Sequence, residues 1–142
     1  MAGILSVSDV MAKRIITARP HATVREAINS MESNDIGSLI VMEGEKPVGI
    51  VTERDIVRRV AGPCIDPRTI RVQDIMSRPL LTVKKDASLE EAASLMAKKR
   101  VKKLAVLENE KLVGIITSTD VVRSAPQMVR IFEELLRNGV KE

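Results

Sequence analysis

The pattern of apolar and polar residues occurs twice along the chain. Asp9 matches Asp74, and at this offset of 65 residues positions 10–60 align with 75–125 without a gap. Many paired positions are identical, and many others exchange one aliphatic residue for another. Because two copies are too few for a solenoid, we interpret them as two units that bury their apolar faces against each other.

Each copy predicts the element order β-α-β-β-α. A short extended stretch, at 15–18 in the first copy and at 80–83 in the second, leads to a helix. The helices are expected to begin after Thr23 and Ser88, each of which has a glutamate three residues later, the spacing of a capping box. Apolar residues then recur at the helical period in both copies: Val24, Ala27, Ile28 and Met31 in the first, and Leu89, Ala92, Ala93 and Met96 in the second.

Two short apolar runs follow each helix. In the first copy, residues 38–42 and 48–51 are separated by the polar segment 43–47, and the second copy repeats this pattern. Such spacing predicts a hairpin of two strands. Each second run ends in a threonine and is followed by a helix that contains Asp55 or Asp120. The sequence therefore predicts an α/β (α+β) fold of two tandem β-α-β-β-α units.

Breaks in these patterns give the domain bounds. We predict the first unit at 1–60, a linker with Gly and Pro residues at 61–71, the second unit at 72–125 and a C-terminal helix at 126–142. One face of that helix is apolar, which favours packing back on its own domain, with self-association as the alternative. The residues of this face are Met128, Phe132, Leu135 and Leu136.

Composition limits the kinds of protein that the chain can be. Its 142 residues fit one compact domain, with 44% hydrophobic residues, no Trp or Tyr, and Phe132 as the single aromatic residue. Bases of single-stranded nucleic acid stack on aromatic side chains, so this kind of binding is disfavoured. The net charge of +4 permits an anionic partner but is also that of a mildly basic protein with mixed charges.

Cysteine use and the lack of long apolar segments bear on location. Cys64 is the single cysteine, which excludes an intrachain disulfide and a zinc site built on paired cysteines. This usage fits a reducing compartment. The N-terminal residues lack the apolar region of a signal peptide, and no apolar run approaches the about 18 residues of a transmembrane helix. We therefore predict a cytoplasmic protein without membrane contact.

The most informative residues stand where the last strand of each unit meets the next helix. A threonine hydroxyl there can donate to a phosphate oxygen, and an aspartate one turn later can accept from a sugar diol. The alternative is simple capping of the helix, which needs no ligand. The glycine before the threonine allows close approach of backbone or ligand. The two corners are Gly49-Ile-Val-Thr52-Glu-Arg54-Asp55 and Gly114-Ile-Ile-Thr117-Ser-Thr119-Asp120.

The chain resembles the cystathionine beta-synthase (CBS) domain family. The resemblance rests on the Gly-hydrophobic-hydrophobic-Thr-x-x-Asp corner, the Asp-x-Met start of each copy and the element order, and it covers residues 9–125. It implies a pair of units with pseudo-two-fold symmetry, often paired again into a disc-shaped dimer. It also implies clefts between the units that bind AMP, ADP or ATP, and in some members S-adenosylmethionine or a dinucleotide.

The resemblance also implies which residues form the two clefts. In the family, the corner of one unit holds phosphate and ribose, while the first strand and the start of the second strand of the other unit hold the adenine. The first cleft would join Thr117, Thr119 and Asp120 to Thr17, Ala22, Ile36, Gly37 and Ser38. The second would join Thr52, Arg54 and Asp55 to Thr82, Ala87, Val101, Lys102 and Lys103.

The two implied clefts differ in charge. The second contains Arg54, Lys102 and Lys103, which would favour a more phosphorylated ligand because charge-assisted hydrogen bonds are the stronger ones. The first is neutral at its rim. The basic run 98–103 has another interpretation, since cations at a helix C-terminus complement the helix dipole. We therefore expect unequal affinity in the two clefts.

Functions other than nucleotide binding have less support in the sequence. An independent enzyme is disfavoured, because the only histidine, His21, is predicted in a surface turn and no phosphate loop or dinucleotide fingerprint occurs. We also predict no metal site and no required cofactor. Nucleic-acid binding through the basic run 98–103, and a dimerisation module with vestigial clefts, are the two alternatives.

These inferences combine into one prediction. We expect a stand-alone, cytoplasmic, homodimeric protein that binds an adenine nucleotide. AMP is the first expected ligand, followed by ADP or ATP, with S-adenosylmethionine and NAD ranked behind them. Binding would favour one mutual orientation of the two units, and a partner protein of unknown identity would respond to that difference.

Overall fold

The computed structural model describes residues 5–138 and contains two three-stranded sheets. The predicted β-α-β-β-α order is confirmed in both repeats, although the first strands lie later than predicted, and each repeat is preceded by one short helix. In chain order the elements are α1 (Val7–Val10), β1 (Thr17–Ala18), α2 (Val24–Asn34), β2 (Ser38–Glu43), β3 (Lys46–Thr52), α3 (Glu53–Ile56), α4 (Val72–Ile75), β4 (Thr82–Lys84), α5 (Leu89–Lys99), β5 (Lys103–Glu108), β6 (Lys111–Thr117), α6 (Ser118–Ser124) and α7 (Val129–Asn138).

Both sheets have the same topology. β1 pairs in parallel with β2, and β2 pairs antiparallel with β3. In the second repeat β4, β5 and β6 repeat this arrangement. The helix between the two parallel strands is the crossover that such strands require. It begins where the sequence predicts, because the Thr23 hydroxyl accepts from the Glu26 N–H at 3.1 Å and the Ser88 hydroxyl accepts from the Glu91 N–H at 3.0 Å.

The compact units of the fold do not coincide with the two repeats. One unit consists of residues 15–80 and is called the Asp55 unit here. The other consists of residues 5–14 together with 81–138 and is called the Asp120 unit. The short segment at the start of each repeat therefore belongs to the unit that holds the other repeat. The predicted bounds at 1–60 and 72–125 describe the repeat in the sequence, and the packing divides the chain elsewhere.

We call the exchanged segments 7–12 and 72–77 the lead-in segments. Their packing is part of each core: Val72 and Ile75 are at most 1% exposed within the aliphatic cluster of the Asp55 unit. Val7 is fully buried in the corresponding cluster of the Asp120 unit. Fully burying one such side chain stabilises a fold by about 1.5–3 kcal/mol. The lead-in segments are therefore structural parts of the units that they join.

The predicted linker at 61–71 also packs on the Asp55 unit. The Val24 N–H donates to the Ile70 carbonyl at 2.9 Å, and the Arg25 N–H donates to the Pro67 carbonyl at 3.0 Å. These are N–H groups in the first turn of α2, which have no acceptor within their own helix. The segment thus completes the N-terminus of α2 as well as connecting the repeats.

The C-terminal helix packs back on its own unit, as predicted. A short 3₁₀ turn at Pro126–Met128 leads into α7, and Phe132 on α7 is 4% exposed. Phe132 belongs to the same buried cluster as Ala93 and Met96 of α5. The side chains of Leu135 and Leu136, predicted on the same face, lie outside the described residues.

Candidate functional site

Both strand-to-helix corners form reciprocal helix caps. At the first corner, the Asp55 N–H donates to Thr52 Oγ1 at 3.1 Å and the Thr52 N–H donates to Asp55 Oδ2 at 2.9 Å. At the second, the corresponding distances between Thr117 and Asp120 are 3.1 Å and 3.0 Å. The capping interpretation of the signature is therefore confirmed in both copies. The caps fix each carboxylate at the end of the last strand.

The two corners differ in burial. Thr52 and Asp55 are 3% and 2% exposed, whereas Thr117 and Asp120 are only half-buried. A buried carboxylate needs hydrogen-bond donors to offset its desolvation. Asp55 has them, because its Oδ2 also accepts from Thr52 Oγ1 at 3.1 Å and its Oδ1 accepts from Ser77 Oγ at 2.8 Å. Asp55 is thus a buried carboxyl group with hydrogen-bond donors at both oxygens, and Asp120 is the more accessible of the two.

Ser77 is a site residue that the sequence analysis missed. It lies in the lead-in segment 72–77 and exchanges two backbone hydrogen bonds with Ile50, of 2.8 Å and 3.1 Å. In the other unit, Ala12 exchanges the equivalent bonds with Ile115, of 2.8 Å and 3.0 Å. The difference between serine and alanine is visible in the aligned repeats. Its meaning depends on the exchange of lead-in segments, which places Ser77 beside the first corner.

The two signature glycines accommodate the lead-in segments. A Cβ atom at Gly49 would lie 2.8 Å from the Met76 sulfur and 3.0 Å from the Ser77 carbonyl oxygen. At Gly114 it would meet the Met11 sulfur and, at 3.0 Å, the Ala12 carbonyl oxygen. A glycine at this position is expected to allow close approach of either backbone or a ligand. The structure shows close approach of the backbone of the lead-in segment.

In the Asp55 unit, the start of β2 lies beside the corner of the same unit. Ser38 is paired with Thr52 across the sheet, and the Glu53 N–H donates to the Gly37 carbonyl at 3.1 Å. Ile36 and Gly37 are half-buried, and Arg54 is exposed on α3. The family resemblance implies a cleft that joins Ile36, Gly37 and Ser38 to the corner of the other repeat.

The Asp120 unit repeats this arrangement. Lys103 is paired with Thr117, and the Ser118 N–H donates to the Lys102 carbonyl at 2.9 Å. Val101 is half-buried, while Lys102 and Thr119 are exposed. The cationic run therefore ends beside the Asp120 corner within one unit, whereas the family resemblance implies a cleft that joins Lys102 and Lys103 to Asp55.

The remaining predicted site residues lie on or near the first strands. Thr17 and Thr82 are exposed and paired with Ile40 and Ala105. Ala22 and Ala87 are half-buried, and their carbonyls hold the lead-in segments by accepting from the N–H groups of Val72 and Val7 at 2.9 Å and 2.8 Å. Each implied cleft contains residues of both compact units. That these residues form a common cleft stays a prediction.

A groove of about 470 Å³ lies on the helical face of the Asp55 unit. Its apolar lining is formed by Ile28, Met31, Ile36, Ile56 and Val57, and its acidic residues are Glu32, Asp35 and Glu53. Val57 is 61% exposed. At the equivalent positions of the Asp120 unit, Ala93, Met96 and Val121 are fully buried, in the cluster that contains Phe132 of α7. The groove is therefore the face that α7 covers in the other unit.

Other candidate chemistries find little support among residues 5–138. His21 is exposed in a turn, as predicted, and Cys64 is an exposed free thiol. Within that part of the chain, no group of three or more His, Cys, Asp and Glu residues could hold a metal ion. None of its helices combines the length and the apolar character that crossing a bilayer requires.

Comparison with known proteins identifies the repeat. The family model of the CBS domain matches residues 7–62 and 72–126. The uncharacterized protein MK0525 of Methanopyrus kandleri is 35% identical over 140 residues, which cover 97% of this chain and 71% of that protein. Inosine-5'-monophosphate dehydrogenase of Methanocaldococcus jannaschii is 40% identical over 126 residues, 86% of this chain but only 24% of the dehydrogenase.

The fold has the same relatives among solved structures. A hexameric CBS-CP12 protein from bloom-forming cyanobacteria superposes with a TM-score of 0.81 and 33% sequence identity. The match covers 92% of this chain and 77% of the cyanobacterial one. The similarity thus extends over both repeats.

Proposed function

Because the chain belongs to the CBS domain family, we propose that it is a regulatory module that binds an adenine nucleotide, with AMP as the first expected ligand. CBS domain pairs generally form regulatory modules that often bind adenine nucleotides, and proteins made of CBS domains alone are typically regulatory and not catalytic. The observation that carries the proposal is the Asp120 corner, where an accessible carboxylate and the signature threonine are fixed together at the end of β6.

The groups at this corner match the parts of a nucleotide. Carboxylate oxygens are acceptors only, so Asp120 can receive the hydroxyl protons of a ribose. Thr117 and Thr119 carry hydroxyls that can donate to phosphate oxygens, and Thr119 is exposed. Lys102, exposed beside the corner, adds a positive charge that favours an anionic ligand. ADP or ATP would use the same groups as AMP.

Regulation requires that the ligand distinguish two states of the protein. A ligand shifts a conformational equilibrium only by its difference in affinity for the two conformations. We propose that the nucleotide-bound conformation is recognised by a partner protein.

Calorimetric titration tests the proposed ligand. We expect AMP to bind, ahead of ADP, ATP, S-adenosylmethionine and NAD, because Asp120 and the threonines suit a ribose and one phosphate. A ligand at about 100 times its dissociation constant adds about 2.7 kcal/mol to the free energy of unfolding. Thermal denaturation with the same compounds therefore provides an independent measurement.

Two substitutions locate the ligand. We expect Asp55→Ala or Asp120→Ala to abolish binding of the preferred compound, and two unaffected variants would show that the corners are not the site.

If no adenine compound binds or raises the melting temperature, the vestigial-cleft alternative is favoured. Binding to nucleic acid that falls steeply with salt, together with indifference to mononucleotides, would favour the nucleic-acid alternative.

We also propose that the chain forms a homodimer through the groove of the Asp55 unit. In the Asp120 unit, α7 covers the apolar face that corresponds to this groove. In the Asp55 unit, apolar residues of the groove such as Val57 remain exposed, and burying them against a second copy gains hydrophobic free energy. The related cyanobacterial CBS-CP12 protein is described as hexameric, which shows that self-association occurs in a relative.

A charge placed in the groove should disrupt the dimer. Val57→Glu adds an anion beside Glu32, Asp35 and Glu53, and we expect it to reduce the mass measured by light scattering from twice to once the chain mass of 15.6 kDa. Ile65→Glu is the matched control, because Ile65 is 36% exposed but does not line the groove. A dimer that survives Val57→Glu would place the interface elsewhere.

A further inference from the structure

The two signature aspartates differ in how many of their oxygens have hydrogen-bond donors. Both carboxylate oxygens of Asp55 are engaged: Oδ2 accepts from Thr52, and Oδ1 accepts from Ser77 Oγ at 2.8 Å. This donor comes from the lead-in segment 72–77. Asp55 is also only 2% exposed.

Asp120 lacks the second set of donors. Its Oδ2 accepts from the Thr117 N–H at 3.0 Å, and no donor to its Oδ1 is observed among residues 5–133, whose side chains the structure describes. Ala12 occupies the position of Ser77, because Ala12 pairs with Ile115 in the same register in which Ser77 pairs with Ile50. A methyl group cannot donate, so one oxygen of a half-buried carboxylate is left for another donor.

We propose that Ser77 closes the Asp55 corner to a nucleotide and that Ala12 leaves the Asp120 corner as the one that accepts it. This inference rests on the proposed function and specifies where the ligand binds. At Asp120, a ribose hydroxyl would replace only water at Oδ1, because no described protein donor has to be displaced. At Asp55, it would have to displace the Ser77 hydroxyl and exchange one hydrogen bond for another, without net gain at that oxygen.

The same comparison changes the expected order of affinities. Arg54 adds one positive charge at the Asp55 corner, but Lys102 and Lys103 lie beside the Asp120 corner, so charge does not favour Asp55. Exposed charges at either corner are also screened by solvent, whereas an available carboxylate oxygen can accept directly from a ribose hydroxyl. The chain should therefore bind one AMP per protomer, at Asp120, and of the two alanine variants Asp120→Ala should lose it.

Installing the serine at the open corner tests this assignment. Ala12→Ser places a hydroxyl opposite Asp120, where Ser77 lies opposite Asp55, and we expect AMP to bind at least about tenfold more weakly by calorimetry, the equivalent of about 1.4 kcal/mol. Ala12 is exposed, so the variant should fold and melt as the wild type does. Ala12→Cys is the matched control, because the cysteine side chain is at least as large as that of serine but its thiol is only a weak hydrogen-bond donor.

Each outcome is decisive. Weaker binding by Ala12→Ser with unchanged binding by Ala12→Cys supports the proposal. Equal weakening by both variants would contradict the proposal, because side-chain size and not the hydroxyl would then be the cause. Unchanged binding by Ala12→Ser, or loss of AMP binding in Asp55→Ala alone, would also overturn the assignment while leaving nucleotide binding intact. A wild-type protein that binds no AMP would instead remove the proposed function on which the assignment rests.

Discussion

Replacing Phe132 by alanine is expected to lower the free energy of unfolding by about 3–5 kcal/mol, the usual cost of removing a buried aromatic ring. Phe132 is 4% exposed and belongs to the same buried cluster as Ala93 and Met96 of α5. It is the only aromatic residue of the chain. The rest of its buried cluster is aliphatic, so no second ring can fill the cavity that the substitution leaves.

Urea denaturation followed by circular dichroism measures this effect. Val129→Ala on the same helix is the control, because Val129 is 43% exposed and its truncation should change stability by no more than about 0.5 kcal/mol. If Phe132→Ala and Val129→Ala unfold at the same urea concentration, α7 does not stabilise its own unit in solution. The self-association alternative for this helix would then be favoured.

The elements of this fold could be predicted because their signals are local. Thr23 and Ser88 precede apolar residues at helical spacing, and both are observed as N-caps. Two short apolar runs with a polar segment between them are sufficient to predict each hairpin. The C-terminal helix and its packing followed from one apolar face. These features depend on residues a few positions apart, which the sequence displays directly.

The exchange of the lead-in segments could not be predicted in this way. Val72 and Ile75 show that segment 72–77 is apolar and must be buried, but they do not show in which core. The strands that end at Thr52 and Thr117 have nearly the same sequence, so either could pair with Ser77. The choice depends on how the chain closes around each unit, and a repeat makes the two possibilities chemically similar.

The residues of the candidate site could likewise be predicted only in part. The corner residues were predicted from a repeated motif, and both are capped as the alternative interpretation required. The ranking of the two corners was based on charge, because Arg54 and the basic run are visible in the sequence. The hydroxyl of Ser77 was overlooked, since its contact with Asp55 exists only when the lead-in segment of the second repeat packs on the first.

Asp55→Ala is expected to lower the free energy of unfolding by about 3 kcal/mol, the sum of a lost helix cap and of buried donors left without an acceptor. The donors are the Thr52 N–H and the Ser77 hydroxyl, both of which bond to this carboxylate. Asp120→Ala is the matched control at the equivalent position. It removes a cap at a half-buried corner, without a serine partner, and should cost only about 1 kcal/mol.

The comparison separates a structural aspartate from a ligand-binding one. If Asp55 acts mainly within the fold, its alanine variant should unfold at lower urea concentration and bind AMP normally at temperatures where it is folded. Asp120→Ala should show the opposite combination, near wild-type stability without AMP binding. Equal loss of stability in the two variants would mean that burial and the Ser77 hydrogen bond contribute nothing measurable. The two copies of the motif would then be equivalent in solution, and their different donors would not explain a preference for one corner.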